Sequence, residues 1–228
     1  MAECWDSGTA TFMILGSNCS RGCRFCSVTH GGMMLVDPEE PVKVRDSAIA
    51  MSLKFVVITS VDRDDLPDQG SGHFARVITE VRSSGVLIEA LIPDFSGRED
   101  LLNTIFRASP DVLAHNIETV RRLTPVIRDQ RAGYEQSLKV LKYFKDRNSS
   151  LITKSSIMLG HGETDQEVEQ SMNDLRAVGV DILTIGQYLR PSKKQIEVTE
   201  YCSMERFKMF EKDGGTKKGS RLWLPGPL

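Results

Sequence analysis

The chain has no surplus of either charge, no long apolar run and no paired-cysteine framework. Lys and Arg total 29 against 31 for Asp and Glu, a net charge of −2, which gives no electrostatic footprint for nucleic acid or an anionic membrane. No uninterrupted apolar stretch approaches the ~18 residues that span a bilayer, and no basic segment followed by an apolar one opens the chain as in a signal peptide. These absences predict a cytoplasmic protein whose partners are read from sites. Low-complexity tracts and short-period repeats are absent too. At 228 residues and 40% hydrophobic content, the chain is long enough for one sizeable core. Five cysteines, three of them close together, suit a reducing compartment and metal ligation better than disulfides.

Those three are Cys19, Cys23 and Cys26, in the run Asn-Cys-Ser-Arg-Gly-Cys-Arg-Phe-Cys. The spacing is C-x3-C-x2-C. Three thiolates on one short loop can serve three irons of a cubane [4Fe–4S] cluster, whereas structural clusters take four. The fourth iron is then open to chelate a small molecule. A structural zinc knuckle and three unrelated thiols are the alternatives; zinc wants four ligands, and His30 is a poor fourth.

Apolar, β-branched runs recur at residues 9–16, 55–61, 86–94, 112–118, 152–160 and 182–188, as expected of parallel strands buried on both faces. Helical periodicity fills residues 42–54, 72–84, 98–108, 134–147 and 165–178, with Thr164 and Glu167 forming a capping box. The alternation predicts an α/β fold, either a barrel or an open doubly wound sheet. In both, ligands gather at the carboxyl ends of the strands. Here those ends deliver the cysteine loop, Thr59-Ser60-Val61-Asp62-Arg63-Asp64-Asp65, Pro93-Asp94, His115-Asn116-Ile117-Glu118, His161-Gly162-Glu163-Thr164 and Gln187-Tyr188-Leu189-Arg190. Any one of these reads equally well as surface turn chemistry; six in concert read as a site.

The cysteine loop resembles that of the radical SAM superfamily, whose three-thiolate cubanes hold the amino and carboxylate groups of S-adenosylmethionine (SAM). Within it, residues 2–201 resemble the lipoyl synthases. The resemblance is carried by Gly8-Thr-Ala-Thr-Phe-Met-Ile-Leu-Gly16, Val57-Ile-Thr-Ser-Val-Asp-Arg-Asp-Asp-Leu66, Pro93-Asp-Phe-Ser-Gly97, His115-Asn-Ile-Glu-Thr119, Thr153-Lys-Ser155, Gly162-Glu-Thr164 and Gly186-Gln-Tyr-Leu-Arg-Pro-Ser192. It implies a partial (β/α)6 TIM-like barrel over residues 9–200, preceded by a remnant of an auxiliary-cluster segment at 1–8 and followed by a C-terminal helix and irregular tail at 201–228. It also implies radical insertion of two sulfur atoms at C6 and C8 of a protein-bound octanoyl-lysine, with ferredoxin or flavodoxin as reductant and a monomeric enzyme. Cys19, Cys23 and Cys26 are then the ligands of the SAM-binding cluster, and Phe25 packs beside it. Thr59, Ser60, Asn116 and Glu118 are candidates for holding SAM. Lys154 and Arg190 either neutralise a ligand anion or serve as ordinary surface cations. Asp62 to Asp65 are a solvated run unless their place after a buried strand recruits at least one of them. His30 and His161 are given no role, and Cys202 reads as a lone semi-buried thiol.

Lipoyl synthases also bind a second, auxiliary cluster that is consumed as sulfur donor. Cys4, fifteen residues before Cys19, falls at the position of its third cysteine. The first two cysteines and the C-terminal serine segment of that motif have no counterpart. Residues after about Lys212 lose both helical period and strand alternation. The expectation is a chain with a start placed too late and a frame slip near residue 212. The alternatives are a different radical SAM enzyme, or a chain that cleaves SAM without transferring sulfur.

Overall fold

All six apolar runs contain strands, and five of the connections between or after them are the helices that periodicity predicts. The computed structural model describes residues 8–216 and 223–225, with side chains from residue 8 to 212. Cys4 lies outside the described residues. The chain forms two units, one of residues 1–21 and 28–114, the other of residues 22–27 and 115–228.

In the first unit, β1 (Thr9–Ile14), β4 (Phe55–Ser60), β5 (Leu87–Leu91) and β6 (Val112–Ala114) are parallel neighbours in that order. The register runs from Thr9 opposite Phe55 to Ile14 opposite Ser60, and from Phe55 opposite Leu87 to Thr59 opposite Leu91. A two-residue ladder, β2 (Asn18–Cys19) with β3 (Thr29–His30), closes the base of the cysteine loop. The helices are α1 (Glu40–Ala50), α2 (Ser71–Arg82) and α3 (Glu99–Ala108). Pro41 sits in the first turn of α1, where its fixed φ and missing N–H cost nothing, so this helix begins before the expected residue 42. α2 buries Phe74, Val77, Ile78 and Val81, an i, i+3, i+4, i+7 stripe whose members contribute roughly 1.5–3 kcal/mol each.

The second unit contains α4 (Thr124–Ile127), α5 (Tyr134–Arg147), β7 (Ile152–Leu159), α6 (Asp165–Ala177), β8 (Ile182–Gln187), α7 (Met204–Thr216) and β9 (Trp223–Pro225). β7, β8 and β9 are parallel. The expected capping box forms: the Thr164 hydroxyl accepts from the Glu167 N–H, and the Glu167 carboxylate accepts from the Thr164 N–H.

Two expectations are corrected. The fourth strand ends at Ala114 instead of residue 118: the Ile117 N–H goes to the Ser155 hydroxyl at 3.3 Å instead of a backbone carbonyl, and Glu118 takes a left-handed φ of 66°. Glu118 rejoins a ladder by itself, as a parallel bridge to Ile157. Residues 223–225, expected within an irregular tail, are a strand: the free edge of β8 offers unpaired backbone groups, and Leu183, Thr184 and Ile185 pair with Trp223, Leu224 and Pro225.

Candidate functional site

Cys19 ends β2 and belongs to the first unit, while Cys23 and Cys26 belong to the second. In the first unit, the Cys19 sulfur accepts from the N–H groups of Arg21 at 3.4 Å and Asp62 at 3.3 Å. The Cys19 thiol lies 3.7 Å from Asp62 Oδ2. Ser20 N–H donates to the Asp62 carbonyl at 2.9 Å, and the Ser20 hydroxyl to Asp64 Oδ2 at 2.6 Å. Arg21 is 4% exposed and forks twice, onto both oxygens of Asp64 at 2.8 and 2.9 Å and both oxygens of Asp94 at 2.8 Å. Burial works against its charge, but the bonds to Asp64 and Asp94 and the field of Asp62 outweigh it, and the pKa rises above the ordinary arginine value.

The charge run after β4 is therefore paired, with Arg21 and within itself. Arg63 is buried, forks onto Asp65 at 2.8 and 2.9 Å and donates to the Leu15 carbonyl at 3.2 Å. Thr59 and Ser60 close β4 at its carboxyl end. The Ser60 hydroxyl is buried without a hydrogen-bond partner.

In the second unit, a turn from Cys23 O to Cys26 N–H sets two of the cysteines. Arg24 N–H donates to Ile127 O at 2.8 Å, and Arg24 O accepts from Ile196 N–H at 2.9 Å. Gln195 holds the Cys26 carbonyl at 3.1 Å. Asp129 donates its N–H to the Cys23 sulfur at 3.3 Å while its carboxylate accepts from Gly22 N–H at 2.9 Å. The Arg131 hydrogen bond, with the Gly22 N–H behind it, holds the Asp129 carboxyl well below the usual range. Phe25 packs against the unit's hydrophobic core. Asn116 hydrogen-bonds the Glu118 carboxyl; burial pushes that carboxyl up, opposed by Arg128 and Asn116. Arg128 itself donates to Ser137 Oγ at 2.9 Å, which also contacts His115 Nε2 at 2.9 Å.

Thus Thr59 with Ser60, and Asn116 with Glu118, form two separate pairs, one in each unit. Arg190 is committed elsewhere: its guanidinium binds the carbonyls of Gln195 and Lys193 and the Glu197 carboxylate, cinching its own loop. His30 is exposed in β3. Cys202 is half-buried against the core, 3.2 Å from Arg206, with its thiol pushed up by burial. Arg21, Arg128 and Asp129 were not singled out in the sequence, where each looks like an ordinary loop charge.

None of the four described cysteines forms a disulfide, and all four are half-buried. Among the described residues no three His, Cys, Asp or Glu stand as a single metal ion's ligands would. A cubane places its thiolates on separate irons, and hydrogen bonds to sulfur are among the contacts that tune it. Reduced thiols that accept backbone N–H bonds, as Cys19 and Cys23 do, fit that donor chemistry. No helix among the described residues is long and apolar enough to cross a membrane.

His161 is 6% exposed, stacks on Tyr188 with ring centroids 4.3 Å apart, and finds no partner for either ring nitrogen. Burial pushes its pKa down to about 4. The unfolded chain takes up this proton near pH 6.5 and the folded chain resists until about 4, so stability falls as pH drops through that window. The expected loss between pH 7 and pH 5 is roughly 2 kcal/mol. Urea unfolding at both pH values checks it: His161→Leu should narrow the difference by about that amount, and an undiminished difference would refute the assignment.

Residues 13–175 match the radical SAM superfamily model. Over its whole length the chain is 65% identical to a lipoyl synthase of Picrophilus torridus, covering 79% of that protein, and 52% identical to one of Thermus thermophilus, covering 71%. Among solved structures, Streptococcus suis SuiB bound to S-adenosylmethionine superposes with a TM-score of 0.76 at 10% identity, over 100% of this chain and 53% of that one. Methylornithine synthase (PylB) gives 0.70 at 13% identity, over 89% and 61%. These two likenesses show the fold; with the family match it is the α/β partial barrel of the radical SAM type that the resemblance implies, not the open sheet. Sequence identity and the family match show more: the chain belongs to the lipoyl synthase family of radical SAM enzymes.

Proposed function

We propose that the chain performs the lipoyl synthase reaction, inserting sulfur at C6 and C8 of an octanoyl group attached to a lysine of a lipoyl carrier domain. The observation that carries this reading is its identity to lipoyl synthases along the full 228 residues. In this reading, Cys19, Cys23 and Cys26 hold a [4Fe–4S] cluster with one iron left for SAM. When bound, that cluster supplies the electron that splits SAM into methionine and a 5′-deoxyadenosyl radical able to take hydrogen from an unactivated carbon.

The protein's part is to hold and to shield. Ser60, with its unpartnered hydroxyl, and neighbouring Thr59 offer donors to the SAM carboxylate or ribose. Asn116 and Glu118 take the amino and ribose groups; an ammonium beside Glu118 offsets the cost of charging a carboxyl whose pKa burial has raised. Phe25 keeps water from the cluster loop. The family's sulfur donor is a second cluster; Cys4 falls at the position of one of its ligands by its spacing from Cys19, and one thiolate by itself does not anchor a cluster. The electron comes from a ferredoxin or flavodoxin, the enzyme acts as a monomer in the cytoplasm, and residues 9–200 form the catalytic domain between a short auxiliary-cluster segment and the C-terminal helix.

The test is anaerobic reconstitution followed by turnover with SAM, dithionite and an octanoyl-lysine peptide. Expected products are 5′-deoxyadenosine together with a peptide heavier by sulfur. Deoxyadenosine without thiolated peptide would contradict sulfur insertion by this chain.

A further inference from the structure

One buried network touches the cysteine loop from the first unit, and radical generation as described gives it no task. Arg21 lies between Cys19 and Cys23 in sequence and faces three carboxylates: Asp64 and Asp94 in two-pronged contacts, and Asp62 at 3.4 Å from Nε. The Asp94 side chain has 0% exposure and that of Arg21 2%. The guanidinium spends its best hydrogen bonds on Asp64 and Asp94. Asp62, whose Oδ1 is 3.4 Å from Arg21 Nε, has its Oδ2 beside the Cys19 sulfur, 3.7 Å away.

Two opposing influences therefore meet at Cys19. The N–H groups of Arg21 and Asp62 point at the sulfur and favour added negative charge on whatever it ligates. The Asp62 carboxylate, 3.7 Å from the sulfur, disfavours it by like-charge repulsion. We infer that Asp62 is a tuning residue that lowers the reduction potential of the cluster held by Cys19, and that Arg21 is the positioning residue that fixes Asp62 and the cysteine loop together. This rests on Cys19 being a cluster ligand. Asp62 reaches that position through its backbone: its carbonyl is held by Ser20 N–H at 2.9 Å and Ser20 Oγ at 3.0 Å, and its own N–H is spent on the sulfur. The carboxylate is thus placed by the same short segment that places the thiol. A low potential suits the cluster's task, since the electron it accepts must be energetic enough to pass on to SAM.

The experiment is a potentiometric titration of the reconstituted full chain, followed by electron paramagnetic resonance of the reduced cluster. At the wild-type midpoint, Asp62→Asn is expected to hold about ten times the reduced-to-oxidised ratio, an upward shift of about 59 mV for a one-electron couple. Asp62→Glu, which keeps the charge, should stay near wild type. An Asp62→Asn midpoint equal to or below that of wild type, with the cluster assembled, overturns the inference alone. A cluster that survives Cys19→Ala unchanged overturns the ligand assignment and the inference with it. If Asp62→Asn takes up no iron, Asp62→Ser removes the same charge with less volume to place and is judged by the same limits.

Discussion

Replacing Cys19, Cys23 or Cys26 singly by alanine is expected to bring deoxyadenosine formation down to background while the fold survives. A cubane held by three thiolates has none to spare, because each ligates a different iron and loss of one leaves a second open corner. The fold should tolerate the change because all three side chains are half-buried and the loop is held mainly by backbone contacts. Arg24 and Gly22 are anchored by Ile127, Ile196 and Asp129, and the ladder of Cys19 with His30 is made by main chain. Iron content, visible absorbance and far-ultraviolet circular dichroism separate the two effects. Cys202→Ala is the contrast: its thiol packs on the core near Arg206, and cluster content should remain that of wild type. Retention of SAM cleavage by any of the three loop variants would refute the ligand set.

Arg21→Met is expected to be the most destabilising of the charge substitutions. The side chain is 4% exposed and its removal leaves Asp94 and Asp64 without their two-pronged cation, Asp94 in a fully buried place. Breaking such a pair by deleting one partner costs about 3–5 kcal/mol, mostly the desolvation of the stranded charge. At ~2–4 °C per kcal/mol for a chain of this length, the Tm should fall by roughly 10 °C. Arg45, half-exposed and paired with Glu80 at 2.9 Å, offers the comparison: Arg45→Met should cost no more than about 1 kcal/mol. Differential scanning calorimetry of both variants checks the ranking, and equal losses would mean that the Arg21 network contributes no more than a surface pair.

The sequence exposed what local pattern encodes. The apolar runs name the strands because a parallel strand reads directly as a β-branched run, and Thr164 with Glu167 announces α6 because the capping box is a contact four residues long. The cysteine spacing reads out its chemistry for the same reason. What stayed hidden depends on distant partners. Asp62 to Asp65 look solvated until Arg21 and Asp94 arrive, the latter 73 residues from Arg21 in sequence. Asp129 reaches the Cys23 sulfur across 106 residues. The fourth strand stops early where the Ile117 N–H turns to the Ser155 hydroxyl, 38 residues away, and Glu118 adopts a left-handed φ that no propensity for Glu predicts. Trp223 to Pro225 become a strand because the β8 edge lies open to them, a property of the fold and not of those three residues.

The central claim is that three thiolates leave one iron free for SAM. Mössbauer spectroscopy of the iron-57-reconstituted chain, recorded before and after adding SAM, tests it most directly. The account predicts a cubane in which a single iron site changes its signal on SAM addition. A cluster whose four irons are alike and indifferent to SAM, or iron bound in no cubane at all, would contradict it.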